Sequence, residues 1–179
     1  MREVTMRILG IDPGLTRCGV GVIDVDQRRM PKFVTVEVLR TSTDLPLAKR
    51  LLALEAGFET ILNEFEPNVV AVERVFSQHN VRSAMDTASA SAVAMLTASK
   101  HGLEVTTYTP TEVKAAVTGS GRADKAQITA MVTKMLRLNA PPKPADAADS
   151  LALALCHAWR GLGQSRLNSA LISQAGARA

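Results

Sequence analysis

Two short runs of this chain are apolar throughout and each closes on a carboxylate: Ile8-Leu9-Gly10-Ile11-Asp12 and Val69-Val70-Ala71-Val72-Glu73. Runs of that length and composition read as strands covered on both faces, the pattern of a central parallel pair. Parallel neighbours need a crossover, and the intervening stretch offers one. Leu47, Leu51, Leu54, Phe58, Ile61 and Phe65 recur three or four residues apart, which predicts an amphipathic helix over 46–65. Ahead of it, residues 7–12, 19–25 and 33–40 read as three strands joined by short turns, an antiparallel meander. In the third of these, Val34, Val36 and Val38 alternate with Thr35 and Glu37, the half-buried pattern of an edge strand.

Beyond Glu73 the pattern turns helical, with one more strand at 104–109. A long helix is expected over 80–101, with Gly102 as its C′ residue. It carries small residues at Ala84, Ala88, Ser91, Ala92 and Ser99. That stripe suits either a second copy of the chain or close packing on the chain's own sheet. Thr109-Pro110-Thr111-Glu112 is a capping box with proline at the first helical position. The helix it starts stops at Gly119-Ser120-Gly121, another follows over 123–138, and Ala140-Pro141-Pro142-Lys143-Pro144 separates it from a last helix over 145–160. Residues 162–179 lack an apolar stripe and are expected to fray. The whole predicts an α/β fold, a five-stranded mixed sheet flanked by helices, in one domain of residues 1–161. With 179 residues, 46% hydrophobic and 21% charged, the chain can bury a sizeable core and is not disordered.

The acids carry the chemistry. If the fourth strand lies parallel beside the first, Asp12 and Glu73 finish at the same end of the sheet. Asp146 and Asp149 open the last helix three residues apart, hence on one face. Each has a plainer explanation: Asp12-Pro13-Gly14 is common turn chemistry, and first-turn acids favour a helix dipole. Taken together they read differently. A buried carboxylate is costly unless paired or bound to a cation, and four converging ones repel strongly. Such a set suits two divalent ions, ~3.5–4 Å apart, that activate a water and stabilise the leaving oxygen of a phosphodiester. All-oxygen ligands favour Mg²⁺, with Mn²⁺ as a substitute. Cys18 and Cys156 lack ligand spacing, and His79, His101 and His157 are scattered, so zinc is not expected.

A net charge of +4 around an acidic site leaves the positive residues to surround it. Lys114 falls in the capped helix and Lys125 in the first turn of the next, with Arg122 between. Helix-start amides and these cations together suit phosphate. Lys134 and Arg137 fit a solvated helix face better. Arg74 either pairs with an acid or meets DNA. Phe76, three residues past Glu73, either stacks on an unpaired base or packs under a loop.

The segments Gly10-Ile11-Asp12-Pro13-Gly14, Val72-Glu73-Arg74-Val75-Phe76 and Asp146-Ala147-Ala148-Asp149 resemble, in that order, motifs of the RuvC family of bacterial Holliday-junction resolvases. The likeness spans about residues 7–160 and implies a ribonuclease H-like fold. It implies that Asp12, Glu73, Asp146 and Asp149 are the metal-binding catalytic acids, that Lys114 and Lys125 are the basic residues beside them, and that Phe76 stacks on a junction base. It further implies a homodimer that nicks two opposed strands of a four-way junction symmetrically, preferring certain thymine-containing sequences. Cooperation with the RuvA–RuvB branch-migration machine, in recombination and repair, is part of the same expectation. Two rivals fit less well. An actin-like or sugar-kinase-like domain also opens on a strand, an acid and a glycine turn, but it works with a second such domain and lacks paired acids on a final helix. A non-catalytic junction scaffold leaves the four acids without a task. No apolar run reaches the ~18 residues of a membrane span and no signal core opens the chain, so cytoplasmic residence is expected.

Overall fold

The two apolar runs become β1 (Met6–Asp12) and β4 (Val69–Glu73), parallel neighbours in a register that pairs Ile8 with Val69 and Ile11 with Val72. The computed structural model describes residues 6–75 and 81–176, with side chains described as far as Gly161. β2 (Arg17–Val25) and β3 (Pro31–Arg40) extend the sheet antiparallel from β1, completing the meander. The crossover helix α1 (Leu47–Phe65) returns the chain to β4. A second helix, α2 (Val81–Lys100), leads to β5 (Glu104–Tyr108), parallel to β4. The strand order β3-β2-β1-β4-β5 is the five-stranded mixed sheet expected. Three further helices follow: α3 (Pro110–Thr118), α4 (Lys125–Met135) and α5 (Ala145–Gly176).

Both sheet faces are covered, which is why β1 and β4 could be apolar at every position. Leu9, Ile11, Val70 and Val72 pack under α1 and α2 with Leu54, Phe58, Ile61 and Ala94. Ile8, Val69 and Ala71 point the other way, into α3, α4 and α5, against Val113, Val132, Leu151 and Leu155. α5 dominates that side, with Leu151 through Cys156 fully buried. It lies almost on the backbone of the meander. A Cβ at Gly10 would overlap the Ser150 carbonyl oxygen and come 2.7 Å from the Ala154 amide nitrogen. At Gly19 a Cβ would overlap the Asp146 carbonyl oxygen. Gly10, Gly19 and Gly21 thus admit the helix, while Gly14 closes on the Arg17 carbonyl within its own turn.

Four expectations change. The alternation in β3 breaks at a bulge, where Val22 faces Thr35 but Ile23 faces Phe33. The extra residue puts Val34 on the α1 side and Val36 on the α5 side, so the valines do not share one face. α5 continues to Gly176 rather than ending at Arg160, since nothing in 161–176 is a proline and alanine, leucine and glutamine propagate a helix. α4 stops at Met135, three residues early, and Arg137 takes a positive φ of 52°. The small-residue stripe of α2 splits. Ser91 is buried with Ala90, Ala94 and Ala98, while Ala88, Ala92 and Ser99 face outward beside exposed Val81, Met85 and Leu96.

Local signals behaved as chemistry dictates. Thr109 and Glu112 form the reciprocal capping box on α3, and Asp124 with Gln127 forms a second one on α4. The histidines within the described residues are structural: His157 is buried with Nδ1 2.9 Å from Tyr108 Oη, and His101 Nε2 lies 2.6 Å from Glu59 Oε2. Because α5 touches β1 backbone to backbone, Gly10→Ala should destabilise the fold by about 1–3 kcal/mol, the usual cost of overpacking. Urea unfolding of the pair measures it.

Candidate active site

The β1–β4 register decides the first half of the site. One step beyond the Ile11–Val72 pair come Asp12 and Glu73, side by side where both strands leave the sheet. The Gly19–Asp146 contact decides the second half, setting the first turn of α5 over the same end of the sheet. Asp146 and Asp149 therefore meet Asp12 and Glu73 in one cleft of about 280 Å³. α3 contributes Lys114 and Val113 to its wall, and α4 contributes Lys125 and Ile128. Five elements thus supply a single site, and all four sequence-derived acids line it.

Its electrostatics are those of crowded carboxylates. The Asp12 carboxyl is pushed up to about 8, chiefly by burial, then by the charges of Glu73, Asp149 and Asp146, against the pull of Lys125. Glu73 is pushed up to about 6 by burial and by Asp149, with Lys125 and Lys114 opposing. Lys125 Nζ stands 3.3 Å from Asp149 Oδ2, and that negative charge is the main reason the lysine holds its proton more tightly than usual. Arg17 Nε stands 3.2 Å from Asp146 Oδ2. That oxygen is nevertheless buried without a hydrogen bond, the arginine contact being off-angle.

These observations test the fit of a divalent ion. Among the described residues, no three Asp, Glu, His or Cys side chains stand close enough together to hold an ion as they lie. Arg17 and Lys125 each stand beside one of the helix acids. The donor set is otherwise right: four hard carboxylates, one buried oxygen lacking a hydrogen bond, and two strand acids held above their ordinary range by burial and by their neighbours' charge. The residues fit the ion chemically, provided the helix acids release their side-chain cations.

The remaining candidates separate. Lys114 and Lys125 reach the cleft. Arg122 does not; it lines a shallow groove with Thr118, Gln127 and Met131 beyond the α3–α4 turn. Phe76 lies outside the described residues. Arg74 turns away, its Nη2 donating to Thr107 Oγ1 at 3.2 Å. A larger cavity of about 550 Å³ opens along β5 between Arg74, Glu112, His157 and Arg160. It holds none of the acids, and Arg160 is already paired with Glu112 at 3.4 Å. Arg17 is the residue that sequence reasoning missed. Its signal is its place two residues before Gly19, hence on the sheet face that α5 covers.

Known proteins are similar to this chain in sequence and fold. The family model for crossover junction endodeoxyribonuclease RuvC matches residues 8–157. A crossover junction endodeoxyribonuclease RuvC of Streptomyces griseus is 63% identical over 166 residues, covering 93% of this chain and 81% of the relative. One from Streptomyces avermitilis is also 63% identical, covering 93% and 94%. Among solved structures, Thermus thermophilus RuvC in complex with a Holliday junction substrate superposes with a TM-score of 0.83 at 35% identity, covering 87% of this chain and 94% of that one. The yeast mitochondrial Holliday junction resolvase, at 13% identity and a TM-score of 0.63, shares the fold alone. On the strength of the family match and of relatives aligned over nearly the whole chain, this protein belongs to the RuvC family of crossover junction endodeoxyribonucleases and has its ribonuclease H-like fold.

Proposed function

We propose that this cleft nicks two opposed strands of a four-way DNA junction in a symmetric, metal-dependent hydrolysis, serving homologous recombination and repair. The convergence of four acids from β1, β4 and α5 into one cleft carries that reading. Asp12, Glu73, Asp146 and Asp149 would hold two Mg²⁺, with Mn²⁺ able to substitute. Bound divalent ions supply Lewis-acid polarisation of the phosphate and a water acidic enough to attack it. The chain's own groups do the rest. Lys114 and Lys125, at the cleft wall, face the scissile phosphate and neutralise its oxygens. Arg122, exposed in the neighbouring groove, meets backbone phosphate farther along the strand. Phe76 is assigned base stacking at the junction on family resemblance, three residues past Glu73.

Two symmetric cuts need two sites, and a two-fold homodimer provides them. The outward face of α2 suits the contact: Val81, Met85 and Leu96 are exposed by 80%, 63% and 58%, with Ala88 and Ala92 between them. Cooperation with RuvA–RuvB rests on the family resemblance. No helix among the described residues is long and apolar enough to cross a membrane; cytoplasmic residence rests on the family resemblance.

Asp12→Asn should abolish cleavage of a labelled mobile junction in Mg²⁺ while leaving binding within about twofold, because a ligand is lost and the basic surface is not. Near wild-type cutting by that variant would refute the ligand assignment. Lys114→Ala should weaken junction affinity and lower the slope of log affinity against log salt by about one unit. Titration from 50 to 300 mM salt, on the order of the usual working range, reads this directly. The raised acids also dictate a pH signature. Without ions, folded Asp12 keeps its proton up to about pH 8, whereas an unfolded aspartate loses it near pH 4. Over that window the folded chain binds more protons, so its stability falls as pH rises. In EDTA, wild-type Tm should drop between pH 5 and 8, Glu73 contributing up to about pH 6, and Asp12→Asn should flatten that drop by a few degrees. Calorimetry across the range decides it.

A further inference from the structure

Arg17 and Asp146 are brought together by backbone that cannot easily move. The turn leading into Arg17 is closed at Gly14, where a Cβ would overlap the Arg17 carbonyl oxygen. Thr16 is held twice: the Thr41 amide donates to its carbonyl at 3.2 Å, and Nη2 of buried Arg50 donates to its hydroxyl at 2.7 Å. On the other side, the Asp146 main chain presses on Gly19. Arg17 and Gly19 lie two apart on β2, so the arginine projects on the face where α5 sits. Only the two side chains are left free to respond.

Their pairing is loose. The Arg17 side chain is 54% exposed and Asp146 only 22%. The 3.2 Å approach lacks hydrogen-bonding geometry, and Asp146 Oδ2 is left without a hydrogen bond. Directly across the ladder from Arg17 stands Arg40, a like charge on the same face. Among the described residues, Coulomb attraction to Asp146 is all that holds the half-exposed guanidinium. We propose that Arg17 is a positioning residue acting as an exchangeable counter-ion, neutralising Asp146 until a divalent cation enters and leaving that carboxylate when it does. The proposal rests on the reading of the four acids as metal ligands. Lys125 on Asp149 does the same at the other helix acid, but it also lines the cleft; Arg17 is outside the cleft wall and separates from the chemistry.

The prediction concerns ion affinity in the absence of DNA. Mn²⁺ is titrated into full-length wild type, Arg17→Gln and Arg17→Lys, with free Mn²⁺ read by electron paramagnetic resonance. Removing the competing charge should tighten Mn²⁺ binding by about two- to fivefold, the span of an exposed ion pair. Arg17→Lys, which retains a cation, should stay near wild type. The gain should vanish when Asp146→Asn is already present, so that the double variant matches Asp146→Asn alone. Unchanged or weaker binding by Arg17→Gln overturns the proposal, weaker binding making Arg17 a support for Asp146 instead of a competitor. Equal tightening by both Arg17 variants also overturns it, since charge would not be the cause. If wild type takes up no Mn²⁺, the metal-ligand reading itself fails. If it does, and only Asp146→Asn alters the affinity, that reading stands and the counter-ion role alone is lost.

Discussion

The meeting of strand acids with helix acids depends on the contact between α5 and the backbone of β1 and β2. Helices usually pack on a sheet through side chains, with their axes well clear of it. Here Gly10 and Gly19 remove the side chains, and the Ser150 and Asp146 carbonyls come down onto the main chain itself. That approach lowers the first turn of α5 to the level at which β1 and β4 end. Asp146 and Asp149 then share a cleft with Asp12 and Glu73 across about 130 residues of intervening chain. An alanine at either glycine would collide with that main chain.

Bringing four carboxylates together costs stability, and the structure shows where the cost falls. Asp12, the most enclosed by its fellows, is held up to about 8 and Glu73 to about 6. The helix acids are handled differently, each facing a basic side chain at 3.2–3.3 Å. Protonation on the strands and ion pairing on the helix are two solutions to one repulsion. Under the proposed role of these acids as metal ligands, a bound divalent cation would replace both.

The fold was largely legible because its signals are local. Five strands and their helices followed from apolar runs, a 3.6-residue stripe and two punctuated turns, and the Thr109–Glu112 cap appears as its residues require. What sequence missed needs partners in space. The β3 bulge sends Val34 and Val36 to opposite faces of the sheet, which alternation in one strand does not reveal. The glycines near Asp12 look the same whether they face a phosphate or a helix. Arg17 carries no motif at all; it matters because β2 aims it at α5.

The sequence by itself determined the identity of the acids, the strands and helix that carry them, and the family to which their order belongs, since those are matters of residue type and spacing. Tertiary structure alone decided which charges face one another. Ion pairing falls off within a few ångströms and depends on the tilt and depth of α5, quantities set by backbone contacts between segments far apart in the chain.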